Sequence, residues 1–180
     1  MRPILQEYYE SVVRPLLINK IRPKDIGKIP RLYQCILKTG VLPPGVPMAN
    51  QMLAMEWIGQ KDAQIIRKML FLSLKGERMY EFLTQGVVFS AFKRTPDKQL
   101  VIPDLYSFPQ LKFHKNEIGS LAPVYVDLKI EGLYPELLTE SLKLGPSGLK
   151  EYVPELLRIQ IAKAKYKEEK RKASASSPKK

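Results

Sequence analysis

The 180 residues contain one histidine and one cysteine, and that scarcity closes off much chemistry. Cys35 alone cannot form an internal disulfide or a cysteine-based zinc site. Flanked by Tyr33, Ile36 and Leu37, it reads as a small buried apolar residue. His114, in LKFHKNE, would have to serve any triad or histidine-based metal site by itself, and no nucleophile motif accompanies it. It reads as a surface or RNA-facing histidine. A Walker loop, a GxGxxG and an HExxH are all missing. Pro43 and Pro44, between Gly40 and Gly45, lack the amide donors that a phosphate cradle needs. Glu168 and Glu169 sit among Lys165, Arg171 and Lys172 as ion-pair partners along a helix. No apolar run reaches the roughly 18 residues of a membrane span, so no membrane-spanning segment is expected. Neither catalytic residues, nor a metal, nor a cofactor is expected, and an enzyme is a distant third reading.

What is present is a globular, basic chain. Apolar residues make up 44% of it, and its length suits one domain with a real core. The net charge of +12 is unevenly placed. Residues 14–38 carry Arg14, Lys20, Arg22, Lys24, Lys28, Arg31 and Lys38 against Asp25 alone, for +6. Residues 158–180 add a further +7, while residues 39–157 sum to zero. Two positive blocks around a neutral middle suit a polyanion. Neither block is amphipathic with large apolar residues, which favours nucleic acid over a membrane surface.

Leu5, Tyr8, Tyr9, Val12, Val13, Leu16 and Leu17 recur at helical spacing over residues 4–18, with Pro15 expected to bend or split the helix. A basic connector punctuated by Pro23, Gly27 and Pro30 fills 19–30. Residues 31–39 read as a strand, 40–47 as a turn, and 48–60 as a helix whose broad apolar face includes Met52, Leu53, Met55, Trp57 and Ile58. Residues 64–74 form one long strand or a tight hairpin near Arg67 and Lys68. A helix over 77–89 follows, then a proline- and aromatic-rich passage, 92–123, with short strands at best. Val124, Val126, Leu128 and Ile130 alternate with Tyr125, Asp127 and Lys129 as a half-buried strand. Short helices over 135–144 and 153–172 and a disordered polar tail, 173–180, complete an α+β fold: an antiparallel or mixed sheet backed by helices. The domain is expected over 1–148, with a basic C-terminal extension over 149–180.

Lysines and arginines that neutralise phosphates release counterions and anchor a protein without reading sequence. The residues expected to do so are Arg22, Lys24, Lys28 and Arg31 in the connector; Lys38 and Thr39 beside Gly40; and Lys75 and Arg78 around Gly76. Arg67 and Lys68 join them next to the sheet, as do Lys163, Lys165, Lys170, Arg171 and Lys172 in the tail. Arg78 reads equally as a partner of Glu77 or Glu81, and Tyr33 as a base-stacking ring or a core aromatic.

Several stretches carry a family likeness. LSLKGERMYEFLTQGV (72–87) resembles the most recognisable strand-turn-helix of the universal large-subunit ribosomal protein L-five family, which binds 5S ribosomal RNA in the central protuberance. LQEYYESVVRPLLINKIRPKDIGKIPRLYQCILKTGV (5–41) is similar to its first helix, basic connector and first strand. IGQK (58–61) resembles the end of its second helix, and VYVDLKIEGLYPELLTESLKLGPSG (124–148) its last strand and helix. The likeness implies a structural constituent of the large subunit. Its partners would be ribosomal RNA, neighbouring large-subunit proteins and the small-subunit head across an intersubunit bridge. Three departures stand out. Residues 61–71 are shorter than the family's long basic loop, so contact with the peptidyl-site transfer RNA is not expected. Residues 88–123 align poorly, although YSFPQL (106–111) resembles an FPE motif. The extension after Gly148 has no bacterial counterpart. Truncation with extension implies an organellar, mitochondrial ribosome, with a cytoplasmic ribosome as the alternative. No presequence is read, since Glu7 and Glu10 fall early. A free ribosome-assembly factor using the same RNA-binding domain is the competing function.

Overall fold

A computed structural model describes residues 3–95 and 99–144, together with residues 152, 154, 158 and 161. The fold is α+β. One sheet of six strands runs β2-β3-β1-β6-β5-β4, and every neighbouring pair is antiparallel. The strands are β1 (Arg31–Thr39), β2 (Gln64–Ile66), β3 (Met69–Leu74), β4 (Lys93–Arg94), β5 (Leu100–Ile102) and β6 (Val124–Glu131). The main helices are α1 (Ile4–Tyr8), α2 (Arg14–Ile21), α3 (Met48–Gly59), α4 (Gly76–Val88) and α7 (Pro135–Ser141), with the short α5 (Pro109–Lys112) and α6 (Lys115–Ile118) between β5 and β6.

Strand parity separates the two faces of the sheet. Cys35, Leu37, Leu70, Leu72, Leu74, Leu100, Ile102, Val124 and Val126 are buried, while the alternate residues of the central strands are only half-buried or exposed. Leu32 is also buried although it lies three residues before Cys35, which strict alternation forbids. A β-bulge resolves the conflict. Leu32 pairs with Ile130 and Gln34 with Lys129, so Tyr33 is the extra residue that puts the two halves of β1 back in phase. Cys35 is fully buried, and burial, with Asp127 nearby, pushes its thiol pKa far up. That is the inert apolar cysteine expected from its neighbours.

The first helix differs from expectation. It neither stops nor splits at Pro15: α1 and α2 are joined through a π-helical turn, Tyr9–Val13, and the run continues to Ile21. Proline has no N–H for the turn before it, and the wider turn lies immediately upstream of the position where that bond is missing. In α3 the buried residues are Gln51, Ala54, Met55, Ile58 and Gly59, whereas Leu53 and Trp57 face outward. The apolar face is therefore narrower than the periodicity predicts. Residues 64–74 form a hairpin. Its two-residue turn, Arg67-Lys68, has positive φ at both positions, the backbone of a type I′ turn built without the usual asparagine or glycine. Among its described residues the passage 92–123 holds the short strands β4 and β5, as expected, and also single helical turns that were not. Tyr152 is buried in the core, its ring centroid 4.3 Å from that of Tyr8. The rest of the expected 153–172 helix and the 173–180 tail lie outside the described residues, apart from exposed Pro154, Arg158 and Ile161.

Gln51 shows how the irregular passage before β6 is held. Its side-chain amide, fully buried, donates to Ala122 O at 3.1 Å and accepts from Ala122 N at 2.7 Å. The pair mimics a strand contact and fastens the lead-in of β6 to α3. Gln51→Ala would leave both backbone groups of Ala122 unsatisfied at about 1–3 kcal/mol each. The expected loss is at least about 2 kcal/mol, seen in thermal denaturation as a fall of at least roughly 4–8 °C. An unchanged midpoint would show that water replaces the amide without cost.

Candidate nucleic-acid interface

Among the described residues the buried side chains of the sheet lie on one face, and strand register arranges what the other, half-buried to exposed face displays. Gln64 pairs with Phe71, Phe71 with Lys38, Lys38 with Tyr125, Tyr125 with Val101 and Val101 with Lys93. One row therefore crosses all six strands and places Lys38 between two half-buried aromatic rings. Phe71 and Tyr125 are two inter-strand spacings apart, about 10 Å. The next rows add Ser73, Ile36 and Asp127, then Tyr33 and Gln34 opposite Lys129, then Arg31 opposite Glu131.

The charges on this face are partly paired. Lys38 Nζ lies 2.6 Å from Asp127 Oδ2, with both side chains about one-third exposed. Gln99 Nε2 donates to the other Asp127 oxygen at 3.2 Å. Arg31 donates to Glu131 Oε2 at 3.0 Å in an exposed pair that contributes little stability. Lys93 and Lys129 are exposed and have no ion pair among the described residues. Tyr33 is not a core aromatic. It is 45% exposed at the bulge, with Lys75 Nζ 4.7 Å from its ring centroid and 3.1 Å from its hydroxyl.

Other expected contacts divide. Arg22, Lys24 and Lys28 are exposed on the connector and have no ion pair among the described residues. The connector itself is fixed. Asp25 accepts from Gly27 N, Tyr9 Oη donates to Pro30 O at 2.9 Å, and Leu133 N donates to Lys28 O at 2.9 Å. Gly132 makes that last approach possible: at φ +117 it faces Pro30, and a Cβ there would meet the Pro30 Cα at 2.7 Å. The segment thus holds its side chains outward on a pinned backbone. Arg67 and Lys68 form the exposed turn of the β2–β3 hairpin. Ile65 and Ile66 belong to the edge strand β2 and are 56% and 49% exposed.

Two of the expected residues have partners within the fold. Thr39 is buried, and its hydroxyl accepts from Leu70 N at 3.1 Å, so it stitches β1 to the start of β3. Arg78 pairs with neither Glu77 nor Glu81; its guanidinium donates to Gln60 O at 3.0 Å, satisfying a carbonyl at the end of α3. Lys163, Lys165, Lys170, Arg171 and Lys172 lie outside the described residues. Sequence reasoning missed Phe71, Tyr125, Lys93 and Lys129. The outward parity of Tyr125 and Lys129 was readable, but nothing in one strand reveals which rings register places together. His114 forms a 2.8 Å contact from Nδ1 to Glu117 and sits edge-on to Trp57, on the helical layer. Among the described residues no cluster of three or more His, Cys, Asp or Glu side chains could hold a metal ion. Likewise, no helix is long and apolar enough to cross a membrane.

An uncovered sheet with rings flanking a lysine can seat single-stranded nucleic acid, each ring stacking a base and the cation meeting the phosphate between them. Phe71→Ala and Tyr125→Ala are each expected to cost about 1–3 kcal/mol of binding to a single-stranded RNA, and Tyr125→Phe almost nothing. Asp127→Asn frees Lys38, and should tighten binding and steepen the slope of log K against log salt by about 0.7–0.9. Equilibrium titrations at several salt concentrations measure both. Unaltered affinity in both alanine variants would place the RNA elsewhere.

No family model matches the chain, and no curated protein matches it either.

Proposed function

We propose that the protein is a structural constituent of the large subunit of a mitochondrial ribosome, binding ribosomal RNA in the central protuberance. The observation that carries the reading is the row Phe71–Lys38–Tyr125 on an uncovered sheet, entered at the Arg31 end from a pinned connector bearing Arg22, Lys24 and Lys28. The likeness of residues 4–148 to the L-five family supplies the ribosomal context. The fold then acts as a rigid adaptor. Connector cations set affinity without sequence preference, while the sheet rings take unstacked bases. The partners are ribosomal RNA and neighbouring large-subunit proteins, and the small-subunit head lies within the same proposal. The hairpin closes in two residues, which leaves no loop to extend to the peptidyl-site transfer RNA.

The test is stoichiometry. Quantitative mass spectrometry of gradient-purified large subunits, washed at high salt, is expected to find one copy per particle. A substoichiometric signal confined to precursor particles would replace this reading with an assembly factor that uses the same domain. In parallel, reversing Arg22, Lys24, Lys28 and Arg31 to glutamate should remove most RNA affinity and flatten the salt slope by about 0.7–0.9 per lost phosphate contact.

A further inference from the structure

A pocket of about 270 Å³ opens between the first helix and the basic connector. Buried Tyr9, Ile29, Leu32 and Tyr80 form its floor, and exposed Arg14, Ile26 and Arg31 stand at its rim. Tyr9 opens the π-helical turn Tyr9–Val13, and Arg14 follows it directly. Such turns are rare and frequently mark functional sites.

Two polar groups at the pocket have no partner among the described residues. The Tyr80 hydroxyl makes no hydrogen bond among the described residues, and Arg14 makes neither a hydrogen bond nor an ion pair there. Arg31 is engaged with Glu131, and the Tyr9 hydroxyl donates to Pro30 O, which leaves its oxygen able to accept. Arg14 and Arg31 both lower the Tyr9 pKa against the larger upward effect of burial, so both positive charges bear on the same floor residue. The acid lining the pocket is Glu10, which accepts from Gln6 Nε2 at 3.1 Å. An apolar and aromatic floor with an unpaired guanidinium and an unpaired phenol suits a ligand that is flat at one end and anionic at the other. The volume falls just under the roughly 300–1,000 Å³ of pockets for drug-sized ligands, which limits the ligand to a small one.

We propose that this pocket binds a single 5′-phosphorylated nucleoside. The base lies over Tyr9, Ile29 and Leu32 with its edge toward the Tyr80 hydroxyl, and the phosphate meets Arg14. The ligand is a free nucleotide or an unstacked unit of a bound RNA chain. In the second case the inference rests on the RNA-binding reading and adds a point of base contact away from the sheet.

Titration of the ¹⁵N-labelled full chain with 5′-UMP and 5′-AMP tests it. Saturable shifts are expected in the amides of Tyr9–Arg14 and Ile26–Ile29. Uridine lacking the phosphate should bind about tenfold more weakly, as should UMP to Arg14→Gln, the loss expected for one charge-assisted hydrogen bond. Tyr80→Phe should weaken UMP a few-fold, and Glu10→Gln should strengthen it. A 4-thiouridine oligoribonucleotide then separates the sources. A crosslink to Tyr9 or Tyr80 that Arg14→Gln abolishes assigns the pocket to RNA, whereas UMP shifts without that crosslink assign it to free nucleotide. Overturning results are an absence of saturable shifts at millimolar nucleotide together with no crosslink, or inorganic phosphate binding as tightly as UMP. RNA binding that persists through the sheet with a silent pocket would sink this inference alone. Loss of all RNA binding by the wild-type chain would instead sink the reading under which RNA is the partner.

Discussion

Strand β1 is paired along both edges, with β3 on one side and β6 on the other, and its register decides which side chains the helices cover. One extra residue at Tyr33 is what makes that register possible. Without it, Leu32 would fall on the open side if Cys35 and Leu37 kept to the core, since a one-residue slip exchanges the faces of a strand. The same residue that corrects the phase of the core is left exposed beside Lys75. Packing inside and display outside are therefore consequences of a single irregularity.

Much of the fold was legible in the sequence because it follows local periodicity. The strands around Cys35 and Val126 and the helices around Met55 and Phe82 lie where alternation and helical spacing put them. What escaped was set by pairing between distant residues. Arg31 meets Glu131 across an intervening 100 positions of numbering, and no window of the sequence holds both. Pro15 was rightly seen as a disturbance, yet a proline does not announce that its strain will be taken up upstream as a π-helical turn. Thr39 and Arg78 looked like ligands for phosphate because they flank turns. Their actual partners, Leu70 N and Gln60 O, are backbone groups whose need appears only once neighbouring elements meet. The charge blocks were legible as composition, and the rings beside Lys38 were not.

The electrostatics of the uncovered face differ from those of the connector. Lys38 and Arg31 come with carboxylates, whereas among the described residues Arg22, Lys24 and Lys28 do not. A polyanion approaching the connector meets unscreened charge, and one settling on the sheet must compete with Asp127 and Glu131. For a polyanion, long-range attraction and short-range selectivity would then fall to different parts of one surface. The Gly132 contact with Pro30 keeps the two parts at a fixed spacing.

Strand β2 ends the sheet with an unpaired outer edge, three exposed residues long, two of them isoleucine. Such an edge is a template for adding a strand from another chain. Arg67 and Lys68 close it after three residues, at a backbone cost of roughly 1–2 kcal/mol each for the left-handed conformation. Two like charges at the tip of a short edge repel a second copy approaching in the same way. Their position therefore opposes the addition of a second copy at this edge, and the left-handed turn is what sets two charges side by side there.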